Sequence, residues 1–393
     1  MRTAPSSRRT AGARKGGRLA GWHPADLAAQ VIDALVAQVD CDPQRIDDVI
    51  LGCVGQAGEQ ANNIARNAVL ASSLPESVPG VSVDRQCGSS QQALHFAAQA
   101  VLAGTMDLVI AGGVESMTRV PMGLPATLPF KHGFGSYMSP AMQARYPGVH
   151  FSQFSGAEQL AAKYGLSKEA LDDYALASHQ RAAAATHEGR FASEIVPVPA
   201  RLADGTATGE MHPTDEGIRF DATRAGIAAV KRIQEGGLLS AATASQICDG
   251  AAALLVANER GLATLGSKAK PLARVHQMMV IGHDPVIMLE GPIPATPVAL
   301  RRAGLRLEDI DLYEVNEAFA SVPLAWLAAT GADPQRLNVN GGAIALGHPL
   351  GASGAKLMTT LVHALHARGG RWGLQTMCEG GGLANVTIVE RLG

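Results

Sequence analysis

Aromatic residues are scarce in this chain, 4% of 393, and charged residues make up only 17%. No apolar run approaches the roughly 18 residues of a membrane-spanning helix. The longest, AAALLVA at 251–257, has the length of a buried strand. Lys and Arg number 33 against 35 Asp and Glu, a formal net charge of -2. That balance gives no electrostatic footing for nucleic acid or an anionic membrane. The five cysteines, Cys41, Cys53, Cys87, Cys248 and Cys378, are odd in number and include no C-x-x-C pair. Neither a zinc site nor a disulfide framework is therefore expected. Reduced thiols in a cytoplasmic protein are the expectation, each reading first as a small core residue. The first 25 residues lack Asp and Glu but hold Arg2, Arg8, Arg9, Arg14, Lys15 and Arg18. Without the apolar face of a transit peptide, they are expected to form a solvated basic arm.

What the chain has in quantity is apolar content, 47%, on a length that suits two or three domains. Short β-branched runs alternate with Ala-rich helical stretches: DDVILGCV (47–54), NNIARNAVLAS (62–72), GVSVD (80–84), SSQQALHFAAQAVLAG (89–104), DLVIAGG (107–113). This alternation predicts α/β layers around a mostly parallel, buried sheet. The pattern breaks between residue 119 and about residue 245, where prolines and aromatics cluster and two helices are expected at 156–164 and 168–187. Ser167 opens the second in a capping pattern. The regular alternation resumes at DGAAALLVANE. The predicted organisation is an N-terminal half of residues 1–118 and 246–268, an inserted loop domain of 119–245 and a C-terminal half of 269–393.

The C-terminal part repeats the opening theme. RIDDVILGCV from Arg45 and RLEDIDLYEV from Arg306 lie 261 residues apart, and the same offset carries Cys87 onto His348. Both stand at glycine-rich helix starts, which points to duplicated halves rather than a solenoid. A cysteine at a helix N-terminus is expected to have a lowered pKa and raised nucleophilicity; the alternative is a core thiol. His348, between Gly347 and Pro349, reads either as a rigidly held base or as a turn histidine. Asn316, in YEVNEAFA, reads as an N-cap or as an amide that fixes a water or substrate oxygen. Cys378 precedes three glycines, whose backbone N–H groups are free to face an anion.

At these stretches the sequence resembles the thiolase family over almost its whole length. The signals are Cys87 in QCGSS, Asn316 in NEAF, His348 in GGAIALGHPLGASG and Cys378 in CEGGG. GRLAGWHPADL, AGGVESMT, GRFASEIVPV and ASQICDGAAALL agree with them. The resemblance implies a five-layered αβαβα fold of two duplicated halves with an inserted loop domain. It implies Cys87 as acyl-accepting nucleophile, His348 as base and oxyanion donor, and Cys378 as acid/base. Asn316 would act through a water, and the backbone N–H of Gly380 would join that of Cys87 in a second oxyanion hole. Ser245 would lie near the pantetheine of coenzyme A. Coenzyme A and acyl-CoA are implied as substrates with no resident cofactor or metal, and the chain as a homodimer or homotetramer.

Three departures stand out. AGARKGG replaces the middle of the family's opening RTPIGK-like segment, and the usual apolar first strand is not evident. Glu379 stands where a small or aliphatic residue is common. HFSQFSGAEQLA lacks the His-Met pair of short-chain biosynthetic thiolases, and LEGP differs from their GTGP, which leans toward a degradative or broader-chain enzyme. A ketoacyl or hydroxymethylglutaryl-CoA synthase and a non-catalytic lipid or CoA binder are the rival readings. The second cysteine argues against the synthases, and the complete set of motif residues against the binder.

Overall fold

The computed structural model describes residues 3–267 and 269–393. It corrects the expectation of a basic arm. Thr3–Arg9 is a strand, β1, paired antiparallel with Cys248–Ala257 along Ser6 to Arg9 and, through Thr3 and Ala4, with Ala273–Gly282. Arg2, counted in the expected arm, lies outside the described residues. Ser6, Ser7 and Arg9 are fully buried, and Arg9 pairs with Glu194 and Asp215. The strand is polar because its partners are polar: Gln38 for Ser6, and Glu194 and Asp215, 185 and 206 residues away, for Arg9.

The remaining main strands are β2 (Asp48–Gly52), β3 (Gly80–Val83), β4 (Leu108–Ser116), β5 (Cys248–Ala257), β6 (Ala273–Gly282), β7 (Leu312–Val315), β8 (Trp372–Glu379) and β9 (Leu383–Arg391). Their order is β7-β8-β9-β6-β1-β5-β4-β2-β3. Within the first half β3, β2 and β4 run parallel while β5 and β1 are antiparallel. In the second half β7 and β8 are parallel and β9 and β6 antiparallel, so antiparallel pairings outnumber parallel ones along the order and correct the expectation of a mostly parallel sheet. A single parallel bridge, Tyr313 to Leu337, stands where the first half has β3.

Helices complete the layers. Pro24–Val39 (α1) starts on His23, whose ring accepts from the Ala25 N–H, and stops at Asp40 in the left-handed region. With Ile64–Ala71 (α2) it covers the outer face of the first half through Leu27, Ile32, Leu35 and Val69. Ser89–Ala103 (α3) is packed between the halves. Four more helices are α4 (Gln153–Lys163), α5 (Lys168–His187), α6 (Pro292–Ala303) and α7 (Ser321–Thr330), and the last, α8 (Ser353–Arg368), packs against α3. The α3–α8 layer shares one apolar core with both sheet halves, including Leu94, Leu254, Val275 and Leu361. α6 and α7 form the fifth layer.

α4 and α5 fall where the two helices of the insertion are expected, and the Ser167 hydroxyl caps α5 by accepting from the Ala170 N–H. Their apolar residues Leu160, Leu171 and Ala175 belong to the same core as Val315, Phe319 and Trp326. The insertion is thereby fastened to the second half.

The structure also corrects the register of the duplication. α3 and α8 begin at Ser89 and Ser353, and β4 and β8 at Leu108 and Trp372, an offset of 264 in both cases. Cys87 therefore corresponds to Gly351, three residues past His348.

Candidate active site

The nucleophile turn is built by Ser89. Its hydroxyl accepts from the Arg85 N–H at 2.9 Å and donates to the Gln86 carbonyl at 2.6 Å. Gln86 is held at φ 49, a left-handed conformation that a non-glycine residue adopts only when its surroundings enforce it. The turn delivers Cys87 to the mouth of α3, against Leu357 of α8 and Met377 of β8, with Leu350 beside them. α3 and α8 approach closely there. A Cβ on Gly354 would stand 2.3 Å from the Gln91 nitrogen, and Ser90 Oγ accepts from the Ala355 N–H at 2.9 Å.

The histidine turn is fixed just as firmly. The His348 N–H donates to the Gln246 carbonyl at 3.0 Å. Glu115, at the end of β4, accepts from the N–H of Gly351 at 2.8 Å and from those of Val54 and Gly55 at 2.9 Å. Ser353 Oγ donates to the Pro349 carbonyl at 2.9 Å and lies 2.5 Å from His348 Nδ1. With its own proton committed, Ser353 offers a lone pair, so His348 carries its proton on Nδ1. Nε2 is left as the basic atom, 3.4 Å from Asn316 Nδ2. Burial, with Lys356 nearby, pushes the imidazole down to about 4. It is neutral at physiological pH and free to accept a proton.

Cys378 is the second-last residue of β8 and has no exposed surface. The two sulfurs interact, since a charge on Cys87 raises Cys378. The N–H groups of Cys87 and Gly380 both favour negative charge at the Cys87 sulfur. Even so, the expected lowering at the helix N-terminus is overridden. Burial first, then Glu379, push Cys87 up to about 12. Burial, Cys87 and Glu379 hold Cys378 well above the usual thiol range, not near neutrality. At rest the site holds two neutral thiols and a neutral imidazole. It is nearly closed: Cys87 is 9% exposed, His348 4% and Asn316 1%. Open clefts of about 220 Å³ beside Arg190, His363 and Arg368, and of about 420 Å³ beside Arg18, His212 and Phe220, are lined by none of these residues.

The models of the thiolase N-terminal and C-terminal domains match residues 5–260 and 269–391. The chain belongs to the thiolase family. It is 51% identical to the steroid 3-ketoacyl-CoA thiolase FadA6 of Mycobacterium tuberculosis over 98% of this chain and 92% of that protein. It is 42% identical to a 3-ketoacyl-CoA thiolase of Serratia proteamaculans over 97% and 96% of the two chains. Among solved structures, the Bacillus anthracis acetyl-CoA acetyltransferase superposes with a TM-score of 0.89 at 33% identity, covering 100% of this chain and 98% of that one. The human mitochondrial 3-ketoacyl-CoA thiolase gives 0.88 at 33%, with 100% and 99% covered.

This thiolase, an acyltransferase by family, brings Cys87 near Cys378 and the Gly380 N–H, brings Asn316 to His348, and packs Leu350, two residues past His348, beside Cys87. Ser245 stands at the margin, half-buried, next to the Gln246 carbonyl that anchors His348. Sequence reading did not single out Ser353, which sets the His348 tautomer, or Glu115, which clamps the two halves. Ser353 lies five residues after His348 within GHPLGASG, a spacing that could have drawn attention to it. No local pattern marks Glu115. No helix among the described residues is long and apolar enough to cross a membrane.

Proposed function

We propose that this thiolase cleaves 3-ketoacyl-CoA with coenzyme A, giving acetyl-CoA and a shortened acyl-CoA, through an acyl group carried on Cys87. The placing of Cys87 near Cys378 and the Gly380 N–H, and of a neutral His348 on the turn whose Leu350 packs beside Cys87, supports this reading most. His348 Nε2 takes the Cys87 thiol proton, and the sulfur attacks the 3-keto carbon. The bond between C2 and C3 then breaks. The electron pair passes to an acetyl-CoA enolate, whose oxygen accepts from His348 Nε2–H and a water held by Asn316. Cys378 gives its proton to the enolate carbon, and acetyl-CoA leaves. The incoming coenzyme A thiol gives its proton to the Cys378 thiolate and attacks the acyl-Cys87 carbonyl. The N–H groups of Cys87 and Gly380 hold the resulting oxyanion until the Cys87–acyl bond breaks and Cys87 takes back the proton held on His348 Nε2.

The high thiol pKa values fit a site where protons are handed between neighbours rather than released to solvent. Ser245 would meet the pantetheine at the pocket margin. The similarity to a steroid-directed relative makes bulky ring-derived acyl groups the first to set beside linear ones. Subunit pairing is part of the same reading. β3 ends the sheet, and the nearby helices expose Leu70 and Phe96 beside Val81. An open edge of this kind is a template for a second copy.

The test is mass spectrometry of the enzyme quenched with 3-ketoacyl-CoA substrates, together with Cys378→Ala. The wild type should carry the acyl group on Cys87. Cys378→Ala should still acylate but lose exchange of the acetyl-CoA α-protons with solvent. Acylation elsewhere, or exchange at the wild-type rate, would refute the assignment.

A further inference from the structure

Glu379 is the last residue of β8, immediately after Cys378, and has no exposed surface. Its carboxyl group lies directly on Gly88, the residue after the nucleophile. A Cβ added there would stand 1.9 Å from Glu379 Oε1. Neither carboxyl oxygen has a hydrogen-bond partner of normal geometry, and the Asn385 backbone N–H favours its charge less than burial opposes it. Across the β8–β9 ladder Glu379, Met377 and Gln375 face the same way as Leu383, Asn385 and Thr387, toward α3. On that face Gln91 Oε1, Gln375 Oε1 and Asn385 Oδ1 are also buried without donors. The region therefore has an excess of acceptors, and a buried unpaired carboxylate among them would be costly. A proton on Glu379 removes the charge and supplies a donor.

We propose that Glu379 is a positioning residue for the nucleophile, a buried carboxylic acid that keeps its proton through turnover and so reserves negative charge in the pocket for the Cys87 thiolate and the oxyanions. When it ionises, the nucleophile is suppressed. The groups facing it are Arg85 in the turn before the nucleophile, Cys87 and Gly88 at the start of α3, Asn385 on β9 and Cys378 on its own strand. Glu115 adds negative field at Cys87 from β4. Burial outweighs the help of Arg85 and pushes the carboxyl up to about 8.

The proposal rests on Cys87 being the nucleophile, so its test reads that thiol without turnover. Iodoacetamide alkylation of Cys87 is followed by peptide mapping from pH 6.5 to 9.5 in the wild type and Glu379→Gln. The ratio of variant to wild-type rate should rise about tenfold across that range, since one added charge at several ångströms shifts a thiol by roughly that factor or more. A constant ratio would overturn the role of Glu379 and leave the acyl-Cys87 experiment standing. Should the variant fail to fold, the wild-type profile decides. A rise shallower than tenfold per pH unit around pH 8 supports the proposal, and an unbroken tenfold rise per unit overturns it.

Discussion

Arg9 is the sharpest place to test how β1 is held. Its guanidinium is completely buried, and it donates from Nε to Glu194 at 2.7 Å, and from Nη1 to Asp215 at 2.9 Å and to the Thr10 carbonyl at 3.1 Å. Lys356 Nζ, 3.0 Å from Asp215, completes a group of two cations and two carboxylates. Asp215, between both cations, is held well below the usual carboxylate range. Glu194, with Arg9 and the Thr360 hydroxyl, is pushed up because burial outweighs them. Arg9→Met keeps most of the side-chain volume but removes two charge-assisted hydrogen bonds and leaves Glu194 without a cation. Breaking such a buried pair costs about 3–5 kcal/mol. Unfolding entropy near 2.1 cal/mol/K per residue over a chain of this length turns about 4 kcal/mol into a melting shift of about 5 °C. Scanning calorimetry at a fixed rate and protein concentration measures it. The sign with pH is a second check. Once Arg9 is gone, the Glu194 carboxyl rises further and takes a proton as pH falls, so the loss should be smaller at pH 5 than at pH 8. A shift under about 1 °C at both values would refute the argument that β1 is fastened by this charge group. A loss that ignores pH would make it a packing effect.

Two further outcomes follow from the site and from burial. Ser353→Ala removes the acceptor that keeps the His348 proton on Nδ1. kcat should fall by about tenfold or more with KM nearly constant, and a parallel change in both would mean that Ser353 only supports the substrate pocket. Acid stability should track the buried histidines: His95 is pushed down to about 3, and His179, His348 and His363 to about 4, in each case chiefly by burial. The unfolded chain binds their protons near pH 6.5 and the folded one does not. Stability should then fall as pH drops from about 6.5 to 4, by up to about 1.4 kcal/mol per pH unit for each histidine. Urea midpoints that stay level over that window would contradict it.

The layered fold, α4 and α5 with the Ser167 cap, and the turns that open α3 and α8 were legible because each is written locally, in periodicity, in a capping pattern or in glycine-rich turns. β1 was not. Its run TAPSSRR has no apolar alternation, since Ser6, Ser7 and Arg9 are matched by polar groups on distant segments, Gln38, Glu194 and Asp215 among them. The thiol pKa values were misread for a related reason. A helix start can be seen in sequence, whereas complete burial and a carboxyl folded against Gly88 are products of the tertiary structure. The presence of Glu379 was visible, but not the direction in which it points.

The corrected register bears on how the duplication serves the site. The offset of 264 that aligns β4 with β8 carries Glu115 onto Glu379, so two buried carboxyl groups occupy equivalent places near the ends of equivalent strands. The first half uses that place for a carboxylate that gathers the N–H groups of Val54, Gly55 and Gly351. Three backbone donors and Gln60 satisfy a charge that burial would otherwise make untenable. Through Gly351 that charge pins the turn that carries His348. The second half uses the same place for Glu379, whose carboxyl group lies against Gly88, the residue after Cys87, without the donors that satisfy Glu115. One position, repeated, thus serves both turns of a two-half site, as a satisfied charge that holds the histidine turn on one side and as an unsatisfied acid against the nucleophile turn on the other.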